Sequence, residues 1–187
     1  MNTETLTPES LPSTLNTDDT VGDPVIRKDD DGTYVVLSIE HDPYYEADMD
    51  YILGFGVSFE EFRTQEDRDD YVDETPDSHT AYIVDHFEHS IHHYSLHGTV
   101  GYPYGGWDTR PSCVLRVPKD FTDPETAAKS MLESLSDYMN GAIYALVETR
   151  YGADGDRLDW SVAGGFIGMD HAQEGLKHPE DYLYDRA

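Results

Sequence analysis

Asp123-Pro124-Glu125-Thr126-Ala127-Ala128-Lys129-Ser130-Met131-Leu132-Glu133-Ser134-Leu135-Ser136-Asp137-Tyr138-Met139-Asn140-Gly141 is the stretch that decides the fold. Asp123 carries the short acceptor of an N-cap, and Pro124 stands at the first helical position, where a missing N–H costs nothing. Asn140-Gly141 supplies the stop. Between these signals Ala127, Ala128, Met131, Leu135, Tyr138 and Met139 recur at three-and-four spacing, which predicts one amphipathic helix with a single core-facing side. Directly beyond it, Ile143 to Thr149 has the β-branched and aromatic content of a strand.

The segments on either side of this helix read as strands. Val25 to Lys28 and Thr33 to Ile39 flank Asp29-Asp30-Asp31-Gly32, which predicts a hairpin closed by an Asp-Gly turn. Ala81 to Asp85, His92 to Leu96, Ser112 to Val117 and Leu158 to Val162 are further short strands, the last joined to Ile143–Thr149 by the glycines and aspartates of Tyr151 to Asp156. Ser58 and Glu61 have capping-box spacing and predict a short helix running to about Asp70. From Asp170 the chain reads as a loop and a short helix. Residues 1–22 are rich in Thr, Ser, Pro and Asn and predict a flexible polar tail, leaving 23–187 as a single domain. The expected class is α+β: one domain, a mainly antiparallel sheet, and one long amphipathic helix packed on one face.

Composition limits the partners. Acidic residues outnumber basic ones 39 to 12 in 187 residues, a formal net charge of -27. Binding a nucleic acid backbone needs Lys and Arg to neutralise phosphates, so direct nucleic acid binding and anionic membranes are disfavoured, and a protein with a basic surface is favoured. The acidity has two readings: adaptation to a salty or high-GC source, and a carboxylate array that imitates the charge of DNA. The densest run holds Glu60, Glu61, Glu66, Asp67, Asp69, Asp70 and Asp73, although acidic residues at 29–31, 42–50 and 154–159 spread the charge more widely. The single Cys113 rules out an internal disulfide framework and suits a reducing cytoplasm. No signal-peptide pattern opens the chain, and no run approaches the ~18 apolar residues of a membrane helix.

Five of the nine histidines fall between His86 and His97. Imidazole beside carboxylate is a ligand set for a divalent transition metal, and His86, Glu88 and His89 are the candidate ligands, which with Asp108 would serve a metal-dependent hydrolase or nucleotide-processing enzyme. As a strand, the same stretch puts His89, His93 and His97 on one face. His86-Phe87-Glu88 has the H-x-E form of a zinc deaminase but lacks its P-C-x-x-C partner. Cys113 lies in an apolar strand with no neighbouring cation and reads as core. No G-x-S-x-G elbow accompanies the scattered Ser, His and Asp residues, so a triad hydrolase is disfavoured. Tyr102, Tyr104 and Trp107, framed by glycines, form a candidate aromatic contact surface beside Asp108, suited to a protein partner or a small signalling nucleotide.

Val36-Leu37-Ser38-Ile39, Asp42-Pro43, Asp50-Tyr51-Ile52-Leu53-Gly54-Phe55, His89-Ser90 with Tyr94-Ser95-Leu96, Trp107-Asp108-Thr109, Tyr138-Met139-Asn140-Gly141-Ala142-Ile143-Tyr144 with Val147-Glu148, and Gly165-Phe166-Ile167-Gly168 follow one another in an order that resembles small phage and prophage accessory proteins. The resemblance spans residues 35 to 168. It implies a non-structural protein made in an infected bacterial or archaeal cell, of a kind that often binds and disables a host enzyme. Together with the charge, it leads to an expected role as a cofactor-free, non-catalytic binding protein in the host cytoplasm. That protein blocks a host DNA-handling defence protein through the acidic run and the aromatic loop. The alternatives are a small metal-dependent hydrolase or nucleotide-processing enzyme built on the histidine stretch, and a sponge for a signal nucleotide.

Overall fold

A computed structural model describes residues 4–5, 20–99 and 109–183. In chain order the elements are β1 (Glu4–Thr5), β2 (Val25–Lys28), β3 (Tyr34–His41), α1 (Met49–Leu53), β4 (Ser58–Glu61), α2 (Gln65–Asp73), β5 (His79–Glu88), β6 (His92–Leu96), β7 (Thr109–Pro118), α3 (Pro124–Met139), β8 (Ile143–Tyr151), β9 (Arg157–Ile167), α4 (Met169–Lys177) and a short 3₁₀ turn, Pro179–Asp181. The fold is α+β with wholly antiparallel pairing. The one sheet expected from sequence is divided into two, of five and four strands. Contacts group the chain into two compact units: residues up to Glu46 with those from Ala142 onward, and Ala47–Gly141. None of the described helices is long and apolar enough to cross a membrane.

The first unit is the sheet β1-β2-β3-β8-β9. Its β2–β3 hairpin closes as the sequence predicts: Gly32 sits at φ 90°, its N–H donates to Asp29 O at 3.0 Å, and Asp31 Oδ1 accepts from Thr33 N–H at 2.9 Å. β3 then pairs with β8, from Tyr34 opposite Tyr151 to His41 opposite Tyr144, so the whole second unit is inserted between two neighbouring strands. Ile39, Tyr144 and Leu146 form the core with Ala172 of α4. Gly175 lets α4 come close, because a Cβ there would sit 2.8 Å from Phe166 Cε1 and 2.9 Å from Leu146 Cδ1. Described residues before position 22 also join this sheet. Glu4–Thr5 pairs with Arg27–Lys28, Thr20 bridges Glu40, and Val21 N–H donates to Ile39 O at 2.7 Å.

The second unit is the sheet β4-β7-β5-β6 with α1, α2 and α3. α3 is the predicted long helix. Asp123 Oδ1 accepts from Thr126 N–H at 3.1 Å, Pro124 opens the helix, and Gly141 follows it at φ 73°. Ala128, Leu132 and Leu135 are buried on its inner face, and it packs against β6 and β7. It also closes the open edge of β6: Ser136 Oγ accepts from Tyr94 N–H at 3.0 Å, Asn140 Oδ1 accepts from His92 N–H at 2.8 Å, and Asn140 Nδ2 donates to His92 O at 2.7 Å. An unpaired strand edge would otherwise invite pairing with another chain.

Ser58 and Glu61 do not form a capping box. Ser58–Glu61 is strand β4, paired with Cys113 to Arg116 of β7, and the helix begins seven residues after Ser58, at Gln65. Its cap is Thr64, whose Oγ1 accepts from Asp67 N–H at 3.1 Å and donates to Asp67 Oδ2 at 2.6 Å. Thr64 and Asp67 repeat the spacing of Ser58 and Glu61, and sheet pairing with a distant strand decides between the two.

Candidate functional site

The acidic run occupies β4 and α2, and the structure sorts its carboxylates by what they touch. Side chains alternate across a strand. Glu60 therefore shares a sheet face with Ser58, whose Oγ lies 3.2 Å from Tyr71 Oη of α2, while Glu61 points to the opposite face. On α2, Asp67 holds the Thr64 hydroxyl, and Asp69 accepts from Arg68 Nε at 2.9 Å and from Gln65 Nε2 at 3.3 Å. The Arg68 guanidinium holds the Asp69 carboxyl below the usual carboxylate range. Glu60, Glu66, Asp70 and Asp73 are exposed, and their side chains have no hydrogen bond or ion pair among the described residues.

The cations of this region are turned inward. Arg68 is 8% exposed and donates from Nη1 to Pro111 O at 2.7 Å. Arg116 of β7 lies over the Tyr71 ring, 3.3 Å from its centroid, donates from Nε to Thr75 Oγ1 at 3.2 Å, and also donates to Tyr71 O. The two arginines fasten α2 to the sheet, and the outer surface of the helix is left to carboxylates. Arg63 and Arg110 are the exceptions: both are exposed beside a groove of about 490 Å³ that Arg68 and Glu61 also line.

The histidine stretch is a hairpin rather than one continuous strand. β5 ends at Glu88, Ser90 takes a left-handed φ of 67°, and β6 starts at His92. His89 falls in the connection and is exposed, so His89, His93 and His97 do not share a strand face. Glu88 is exposed and lies opposite His92. His97 Nδ1 pairs instead with the buried Asp85 at 2.9 Å. Among the described residues, His86 alone of the candidate ligands His86, Glu88 and His89 joins a group of converging ligand atoms, and its companions are Glu61 and Cys113. Those three atoms lie within 4.8 Å of one another.

His86 is the centre of this cluster. Its ring stacks on Tyr94 with centroids 4.3 Å apart, its Nε2 is 3.1 Å from His92 Nδ1, and its Nδ1 is 3.7 Å from Glu61 Oε1. Burial pushes the His86 pKa down and so favours the neutral imidazole; Glu61 and Glu88 pull the other way, and His92 adds to the downward shift. Burial raises the Tyr94 phenol to about 12, with the charges of Cys113, Glu61 and Glu88 acting in the same direction. Cys113 is fully buried, as the sequence predicts, and burial lifts its thiol to about 11 from an ordinary 9.0.

The raised Cys113 pKa makes stability depend on pH. The folded state holds the proton more tightly than the unfolded chain, so this contribution to stability is intact below pH 9.0 and is lost as pH rises toward about 11. The urea midpoint should therefore fall across that window. At neutral pH, iodoacetamide should label native Cys113 at least about 100-fold more slowly than the denatured chain, which is the ratio of thiolate fractions alone. Labelling at equal rates contradicts the buried placement.

Tyr102, Tyr104, Trp107 and Asp108 lie outside the described residues. No family model matches the chain, and neither the curated proteins nor the solved structures contain a match.

Proposed function

We propose that this chain is an acidic, non-catalytic binding protein whose β4–α2 face occupies the basic surface of another protein, of the kind that holds the phosphate backbone of DNA. One observation carries the reading: α2 presents exposed carboxylates while its own arginine, Arg68, is buried beneath it. Free carboxylates on a fixed helix steer a cationic partner and set its orientation. The phage-type resemblance adds the class of partner, a host DNA-handling defence protein, and with it a host-cytoplasmic location.

The test is a variant carrying Glu60→Gln, Glu66→Gln, Asp70→Asn and Asp73→Asn together. These four carboxylates make no hydrogen bond or ion pair among the described residues, so the fold and its stability should be unchanged. Retention of bacterial DNA-binding proteins on the immobilised variant should drop by about 10-fold or more relative to the unaltered chain, since charge complementarity acts on encounter on that scale. Equal retention by both proteins would remove the β4–α2 face from the account.

A further inference from the structure

Glu61, His86 and Cys113 come from three adjacent strands: Glu61 lies opposite Cys113 across β4–β7, and Cys113 lies opposite Val84 across β7–β5. A register shift between Val84 and His86 then places the imidazole beside the other two ligands. We propose that these three side chains form a mononuclear site for a divalent transition ion of the zinc and cobalt class. The donor set supports that class, because thiolate with imidazole and a carboxylate favours a borderline-soft ion over magnesium or calcium.

The spacing is close to what such an ion needs. Ligand bonds of 2.0–2.3 Å in a tetrahedron put donor atoms about 3.3–3.7 Å apart. His86 Nδ1 and Glu61 Oε1 are already at 3.7 Å, and the widest pair is within 4.8 Å. Glu61 is the exposed member, free to close on the ion by rotation of its side chain. The support behind the ligand is also in place. With Nδ1 of His86 given to the ion, its Nε2 must carry the proton, and His92 Nδ1 at 3.1 Å accepts it. A ligating histidine typically has its second nitrogen held in this way, which fixes both tautomer and ring orientation. The Tyr94 ring, stacked on His86, limits the tilt of the imidazole.

Three protein ligands leave a fourth position for water on the Glu61 side. Binding balances as loss of one proton: the Cys113 thiol becomes thiolate, the neutral His86 donates a lone pair, and the Glu61 carboxylate is already ionised. The ion ties edge strand β4 to its neighbour β7 and to β5 beyond it, three residues before the Thr64 cap of α2. The site does not depend on the binding role proposed above and loads in the isolated chain.

The experiment is titration of the full-length, metal-stripped protein with Co²⁺. The expected result is one ion per chain, a thiolate-to-cobalt charge-transfer absorption, and release of one proton per ion. Glu61→Gln, at an exposed position, should weaken uptake about tenfold or more with the fold unchanged. Cys113→Ser should abolish the charge-transfer absorption, and His89→Ala should change nothing. Absence of saturable uptake by the folded chain overturns the site. So does uptake that survives Glu61→Gln and Cys113→Ser but is lost with His89→Ala, which would place the ion on the histidine connection.

Discussion

Leu146→Ala should lower the unfolding free energy by about 3–5 kcal/mol, the range for removing a leucine from a core that cannot collapse around the gap. Leu146 is 1% exposed on β8, within the cluster of Ile39, Tyr144 and Ala172, and the partly buried Phe166, Met169 and Leu176 close around it. The residue of α4 directly over Leu146 is Gly175, which has no side chain to offer. Urea denaturation checks this through a lower midpoint at an unchanged slope. A loss below about 1 kcal/mol would mean that α4 settles into the gap and that its packing on β8 is less fixed than the close approach at Gly175 indicates.

Arg68→Ala should cost about 2–3 kcal/mol, from the Pro111 carbonyl left without its donor and the lost packing of the arginine stem. Arg68→Lys should recover little, because an ammonium cannot hold Pro111 O and the Asp69 carboxylate together as the guanidinium fork does. Hydrogen exchange should report the change first in the amides of Gln65–Asp73. The consequence for binding separates two views of the acidic face. If net charge alone set affinity, removing a cation from this region would tighten binding to a basic partner. A face held in place by Arg68 predicts the reverse, weaker binding to the same partner despite the added negative charge. Tighter binding by Arg68→Ala would therefore show that the order of α2 is irrelevant to recognition.

What the sequence revealed and what it concealed follow the range of the interactions. α3 was legible because its signals are local: the Asp123 cap, Pro124, the apolar spacing and the Asn140-Gly141 stop act within a few residues of one another. The β2–β3 hairpin was legible for the same reason, through the turn at Gly32. Ser58 to Glu61 misled because capping-box spacing is also local, whereas the partner that makes it a strand, Cys113 to Arg116, lies more than fifty residues away. The division into two sheets was concealed likewise, since β3 meets β8 across an insertion of about a hundred residues. The site shows the same limit. The carboxylate run was visible, but nothing in its spacing separates Glu60, Glu66, Asp70 and Asp73 from Asp67 and Asp69, which hold the helix cap and Arg68. The convergence of Glu61, His86 and Cys113 exists only through strand register and a bulge. The linear run of histidines pointed to Glu88 and His89 instead, because proximity in sequence does not survive the turn at Ser90.

If the β4–α2 face occupies a surface built for the DNA backbone, duplex DNA must compete with it for the partner. A bacterial DNA-binding protein captured by the immobilised chain is challenged with increasing duplex at fixed salt, and the fraction retained is measured. DNA should displace the partner, with retention falling steeply as salt rises, because both ligands use the same cations on the partner. Retention that neither DNA nor salt reduces would place the contact away from the partner's phosphate-binding surface and would contradict the claim.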